Sequence, residues 1–263
     1  MSAMASSVDV KCHYPSGTIV LNRPDKRNAL SRDLIRQLQQ AFDDLHQERR
    51  VRAVMLTGNG TAFCAGMDLD EMKETALQEN SQEMWFHDAR EYQELIETML
   101  RFPKPIIAAM NGSAVAGGAG LVLASDIVLA APKAKFGFPE PRRGIVAGIV
   151  SPLLAFRTNA AIASRLLLTA ELVLAESLTD CGLVHEIVEH DLLWARGHDL
   201  AQCVSNSAPQ AIQLTKQLLN ETIGQSLFTQ LAAGAAASAA ARTTDAAAEG
   251  IDAFLEKREP QWP

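Results

Sequence analysis

Long hydrophobic runs are missing from this 263-residue sequence. No stretch approaches the roughly 18 consecutive apolar residues of a membrane helix, and the opening MSAMASSVDVKCHYP holds no apolar segment of signal-peptide length. A cytoplasmic setting is the expectation. Cysteine is scarce: Cys12, Cys64, Cys181 and Cys203 are scattered, with no C-x-x-C pair and no histidines at ligand spacing. Reduced structural thiols are expected, and a metal site is not. Positive charge is in deficit, with 24 Lys and Arg against 31 Asp and Glu for a formal charge of −7. This argues against a nucleic-acid partner, and any anionic ligand has to be met by local positive charge. G-x-S-x-G is absent, so a serine hydrolase has no support.

Two other motifs begin and fail. Gly58-Asn59-Gly60 follows an apolar run, but the third glycine of a dinucleotide fingerprint would fall at Phe63. In HEIVEH, His185 and His190 stand five apart, whereas the zinc helix needs four to bring both rings to one face.

What is present is an ordinary globular balance, 48% hydrophobic and 21% charged, on a chain long enough to bury a large core. The most informative segment is PIIAAMNGSAVAGGAGLVLASD at 105–126. A short apolar run, Ile106 to Met110, ends at an Asn111-Gly112 turn signal, and Gly117-Gly118 open a second run at helical spacing. That is a strand, a turn and a helix N-terminus, whose first amides lack intrahelical acceptors and favour an anion. Without Cβ atoms, Gly117 and Gly118 are expected to let a ligand oxygen approach closely. Residues 53–69, AVMLTGNGTAFCAGMDL, repeat the plan and end on a glycine-flanked amide at Met67. Two such loops suggest two donors converging on one oxyanion, which suits a developing enolate or tetrahedral alkoxide.

The periodicity predicts strands at 17–21, 53–57, 106–110, 127–130 and 183–188, a further short element at Phe136-Gly137, and helices at 31–49, 82–101 and from Gly117. Ser31 is the expected N-cap of the first helix, and Ser151-Pro152 reads as the cap and first residue of another. Alternation of strands and helices implies an α/β core with parallel elements. Beyond about 190 the pattern is helical, with helices expected at 208–223 and 226–242. The alanine-rich AAGAAASAAA is expected to pack on another helix or subunit.

Taken in order, NRPDKRNALS (22–31), FCAGMDLDEM (63–72), PKPIIAAMNGSAVAGGAGLVLASDIVLA (103–130), KFGFPEPRRGI (135–145) and IDAFLEKREP (251–260) resemble the crotonase, or enoyl-CoA hydratase/isomerase, superfamily. The resemblance implies an α/β fold of repeated ββα units over 1–190, carrying the active site, and a C-terminal helical trimerisation region over 191–263. It further implies a homo-oligomer, a trimer or dimer of trimers. The implied substrate is an acyl-CoA thioester, with coenzyme A entering as part of the substrate and no separate cofactor or metal. Its carbonyl oxygen would be held by the Met67 and Gly117 amides, and the chemistry would pass through a thioester enolate.

By the same resemblance, Lys26, Arg27, Ala29, Leu30, Ala65 and Asp68 would meet the coenzyme A moiety, and Phe254 and Lys257 would reach that of a neighbouring subunit. Glu140, between Pro139 and Pro141, matches a family acid/base position, and the flanking prolines fit a conformationally fixed carboxylate. A competing reading pairs it with Arg142 or Arg143. The family's first glutamate position, three residues beyond Gly117, is Gly120 here, so a two-glutamate hydration mechanism is not available at these positions. Asp68, Glu71, Glu83 and His87 are the candidate replacements. The activity the resemblance implies is hydration or double-bond isomerisation of an enoyl-CoA, since some hydratases of the fold also work with one glutamate. The alternatives are a single-glutamate Δ3,Δ2-enoyl-CoA isomerase and a coenzyme A-binding member of the fold without turnover.

Overall fold

A computed structural model describes residues 6–222 and 224–262. The chain opens with β1 (Val8–His13), β2 (Ser16–Leu21), α1 (Arg32–Gln47), β3 (Ala53–Gly58), β4 (Ala62–Cys64), α2 (Leu69–Ala76) and α3 (Ser81–Arg101). Then come β5 (Ile106–Met110), β6 (Ser113–Val115), α4 (Gly117–Leu123), β7 (Ile127–Ala130), β8 (Lys135–Gly137), α5 (Val150–Arg157) and α6 (Ala160–Thr169). The rest comprises β9 (Leu172–Leu174), β10 (Glu186–Ile187), α7 (Leu193–Ser205), α8 (Pro209–Gln217), α9 (Gln225–Ala241) and α10 (Asp245–Leu255).

Two sheets share these strands, one ordered β1-β2-β3-β5-β7-β10 and the other β4-β6-β8-β9. The ββα repeat is visible in that division. In β3-β4, β5-β6 and β7-β8 the first strand joins the large sheet and the second the small one, and a helix follows. All pairs in the large sheet are parallel except β1–β2. A parallel sheet is covered on both faces, which explains why β5 reads IIAAM with every residue buried.

Local chemistry sets the helix ends. Ser31 caps α1 by accepting from the Leu34 N–H at 3.1 Å, and Leu34, Ile35, Leu38, Ala41, Phe42 and Leu45 form its buried stripe. At Ser151-Pro152 the expectation fails. Helix α5 begins at Val150, and Ser151 donates its hydroxyl to the Ala147 carbonyl at 2.5 Å rather than capping the helix. Pro152 then sits third in the first turn, where a missing N–H costs nothing.

Other departures are small. The strand expected at 183–188 contracts to Glu186–Ile187, and β1, β4, β6 and β9 add short strands beyond those anticipated. The helix expected at 208–223 stops at Gln217 and gives way to a wider helical turn at Leu218–Thr222. Its last residue, 223, lies outside the described residues.

The alanine-rich α9 packs on α3 and α5, burying Leu227, Leu231, Ala235 and Ala239. The C-terminal helices are also tied to the core by charge. The Lys216 ammonium is buried, donates to the Met99 carbonyl and lies 2.7 Å from the Asp126 carboxylate. No helix among the described residues is long and apolar enough to cross a membrane.

Candidate active site

Parallel pairing brings three loops together. After β4 the chain runs through Ala65 and Gly66 to Met67. Leu30 makes an isolated parallel bridge there, donating to the Gly66 carbonyl at 2.8 Å and accepting from the Asp68 N–H at 3.0 Å. In such a bridge the residue between the two bonded neighbours turns its own N–H to the opposite side, so Met67 presents its amide away from Leu30. Gly66 has φ +89, and a Cβ there would lie 2.7 Å from the Ala116 Cβ and 3.3 Å from the Gly117 nitrogen. The two loops are in contact.

The second loop follows β6. Ala116 is held at φ 53 and ψ −125, a sparsely populated conformation that costs of order 1–3 kcal/mol, and its N–H is pinned to the Gly137 carbonyl at 3.0 Å. Gly117 then starts α4 with an N–H that has no intrahelical acceptor. Gly118 differs from the expectation. A Cβ there would run into the Cys64 backbone carbonyl, so this glycine serves close packing of α4 on β4 rather than ligand approach. Cys64 itself is fully buried and its thiol is pushed up to about 12 by desolvation. All four cysteines are unpaired.

The third loop follows β8, whose Gly137 pairs with Val115. Phe138 and Pro139 lead into a single tight turn at Glu140–Arg143. Glu140 is 7% exposed, and its Oε2 has no hydrogen-bond partner. Burial raises its carboxyl from 4.5 to about 7, against the opposing pull of its own backbone N–H and of the Arg143 charge. The competing reading, a surface ion pair, does not hold. Arg142 reaches the Thr169 carbonyl, while Arg143 donates to the Pro139 carbonyl and lies 4.2 Å over the Phe254 ring.

These loops surround one cavity of about 290 Å³, whose wall includes Met67, Gly117 and Glu140 together with Lys26, Arg27, Ala29, Ala65, Asp68 and Phe254. Of the residues named from sequence, Leu30 and Lys257 do not line it. Leu30 is instead buried beside Met67. Phe254 lines the cavity of its own chain. Lys26 is exposed and pairs with Asp70 at 2.6 Å.

Met67 and Gly117 line one cavity with the buried Glu140 carboxyl, an arrangement able to donate to an anionic oxygen and to move a proton. Comparison with known proteins gives the family. The family model for enoyl-CoA hydratase/isomerase matches residues 17–263. The chain belongs to the enoyl-CoA hydratase/isomerase family. A Thermus thermophilus protein, named provisionally as an enoyl-CoA hydratase, is 39% identical over 247 residues, 93% of this chain and 96% of that protein. The 2,3-dehydroadipyl-CoA hydratase of Escherichia coli is 33% identical over 245 residues, 93% of each chain. Among solved structures, an enoyl-CoA hydratase from Mycobacterium avium has a TM-score of 0.86 at 33% identity, covering 99% of this chain and 100% of that one.

The surroundings of Gly120 are crowded. A Cβ at Gly120 would fall inside the Tyr92 hydroxyl and 2.7 Å from Val150 Cγ1. Tyr92 is buried, and its hydroxyl donates to the Gly117 carbonyl at 2.5 Å. Desolvation, with Cys64 and Glu140 adding to it, holds this phenol well above its ordinary range. A neutral phenol therefore fills the space in which a side chain at 120 would begin.

None of the candidate replacement acids stands free. Asp68 lines the cavity, but it accepts from Arg23 at 2.9 Å and caps α2 through the Asp70 N–H. Glu71 accepts from the Arg32 N–H. His87 is exposed beside Glu91, and Glu83 is exposed on α3.

The failed zinc motif is explained as well. His185 Nδ1 accepts from the Val128 N–H, and His190 pairs with Asp191. No group of three or more His, Cys, Asp or Glu able to hold a metal exists among the described residues.

Sequence reasoning missed Tyr92 and Arg242. Tyr92 shares a helical stripe with Ala89 and Ile96, a spacing that sets it no further apart than any core aromatic. Arg242 is the lone cation at the end of an alanine run, which was the available signal.

Proposed function

We propose that the chain moves a carbon–carbon double bond along an acyl-CoA thioester, with Glu140 as the single proton-transfer group. The Met67 and Gly117 N–H groups hold the thioester oxygen. The Glu140 carboxylate takes a proton from C2 of a 3-enoyl thioester, giving a dienolate whose negative oxygen the two amides stabilise. Protonated Glu140 returns that proton at C4, yielding the conjugated 2-enoyl thioester and restoring the carboxylate. A carboxyl near 7 suits both steps at neutral pH.

The observation that carries this reading is the Tyr92 hydroxyl in the space at Gly120. It leaves Glu140 as the buried, unpartnered carboxylate of the cavity among the described residues. Lys26, Arg27, Ala29, Ala65 and Asp68 lie on loops fit to receive the coenzyme A portion, which arrives as part of the substrate with no separate cofactor. The unpaired thiols support a reducing, cytoplasmic setting. Residues 191–263 form the proposed trimerisation region, supported by the exposed Leu214, Leu218 and Leu219.

Hydration of a 2-enoyl-CoA is the second reading, favoured by the names of the Thermus and Escherichia relatives. Incubation with trans-2-enoyl-CoA in oxygen-18 water separates the two. The single-base reading expects no labelled 3-hydroxyacyl-CoA, and steady label incorporation lost in Glu140→Gln would replace it with hydration.

A further inference from the structure

The α9 wall of the cavity carries a cation without an anion. Ser238 and Arg242 stand one turn apart on that helix, and both line the cavity. Ser238 Oγ accepts from the Gly148 N–H at 3.2 Å, which fastens the Gly148–Val150 segment, and Val150 in turn meets Tyr92 at the Gly120 position. This wall therefore adjoins the oxyanion loop. Arg242 Nη1 is enclosed and has no hydrogen-bond partner. The acid whose charge acts on it is Asp88, which already takes a two-pronged pair from Arg32 at 2.6 and 2.7 Å. Glu71, a further acid beside Arg32, accepts from the Arg32 N–H.

Arg143 also has an enclosed, unpartnered Nε, but it has the Glu140 charge for company. Arg242 is the surplus cation. Enclosing a guanidinium without an acceptor is unfavourable, and burial indeed lowers its affinity for the proton. A planar donor fork of this kind matches a carboxylate in a two-pronged pair.

Ala89 and Tyr92 of α3, Gly117 and Arg242 all line this one cavity, and Tyr92 touches the Gly117 carbonyl, so the cation and the Gly117 amide open onto the same space. We infer that the acyl chain accepted here ends in a carboxylate, which Arg242 holds while the thioester oxygen sits between the Met67 and Gly117 amides. The substrate class is an ω-carboxyacyl-CoA. This rests on the cavity being the acyl-CoA site of the proposed function.

Binding of unreactive saturated thioesters tests the inference separately from turnover. Calorimetry compares succinyl-, glutaryl- and adipyl-CoA with butyryl-, pentanoyl- and hexanoyl-CoA on the full-length protein. At least one carboxylated member is expected to bind tenfold or more tightly than its neutral partner of equal length. That ratio should fall to about one in Arg242→Met and be partly kept in Arg242→Lys. Neutral members binding as well or better at every length would overturn the inference. An equal loss of both members in Arg242→Met would also overturn it, because Arg242 would then be contacting coenzyme A itself. If no acyl-CoA binds at all, the acyl-CoA reading of the site fails together with the inference. If the carboxylated thioesters bind tightly while no enoyl thioester turns over, only the proposed catalysis fails.

Discussion

Glu140 sets a pH dependence with a definite sign. Burial lifts its carboxyl to about 7, so the base form that the proposed isomerisation requires is present above 7 and vanishes below it. At pH 5 about one molecule in a hundred carries the carboxylate, whereas a carboxyl left at 4.5 would be mostly ionised there. The free-enzyme profile of kcat/KM should therefore rise about tenfold per pH unit from 5 to 6.5 and level off above 7.5. The same shift acts on stability in the opposite direction. The folded state binds the proton more tightly than the unfolded chain, so this group's contribution is fully present below 4.5 and is lost as pH rises through 7. The loss is at most of order 3 kcal/mol. Glu140→Gln should abolish the pH step, lower turnover of 3-enoyl-CoA by about 10²–10⁴-fold and melt at higher temperature than the parent at pH 8. Stopped-flow assays from pH 5 to 9 and melts at pH 5 and 8 read both. A flat rate profile, or a glutamine variant with more than a tenth of parental activity, would refute the assignment.

Other consequences follow from the same contacts. Gly120→Glu alone should destabilise the protein and give no hydratase activity, because its Cβ collides with the Tyr92 hydroxyl; thermal melts and product analysis check this. Gly118→Ala should cost stability with Glu140 untouched, since its Cβ meets the Cys64 carbonyl, and a lowered denaturation midpoint is the expected readout. Ala116→Gly should stabilise the fold by about 1 kcal/mol through relief of the positive φ, read as a raised urea midpoint. Lys216→Met leaves the Asp126 carboxylate without its ammonium and should cost about 3–5 kcal/mol, measurable by urea unfolding.

Much of the fold was legible because its main strands are buried on both faces. The runs 106–110 and 127–130 announce themselves by uninterrupted apolar residues bounded by Pro105 and Asn111, and by Asp126 and Pro132. Strand β1 escaped notice because VDVKCH is largely exposed and lacks such a run. Ser151-Pro152 misled because the cap signal ignores the Ala147 carbonyl, a better partner for the serine hydroxyl than any amide of the helix it was meant to start.

The two glycine-bearing loops at the cavity were readable from the sequence, but the task of each glycine was not. Gly66 permits a positive φ, Gly117 lines the cavity, and Gly118 makes room for a backbone carbonyl. Tyr92 and Arg242 lie far from these motifs in sequence and reach the cavity through the packing of α3 against α9, which no local pattern encodes.

The most direct test is the fate of a 3-enoyl-CoA, followed by conjugated-thioester absorbance and product mass. Conversion to the 2-enoyl thioester with no added water, abolished by Glu140→Gln, is the predicted result. Accumulation of 3-hydroxyacyl-CoA from the same mixture, or conversion that persists in Glu140→Gln, would contradict single-base chemistry at Glu140.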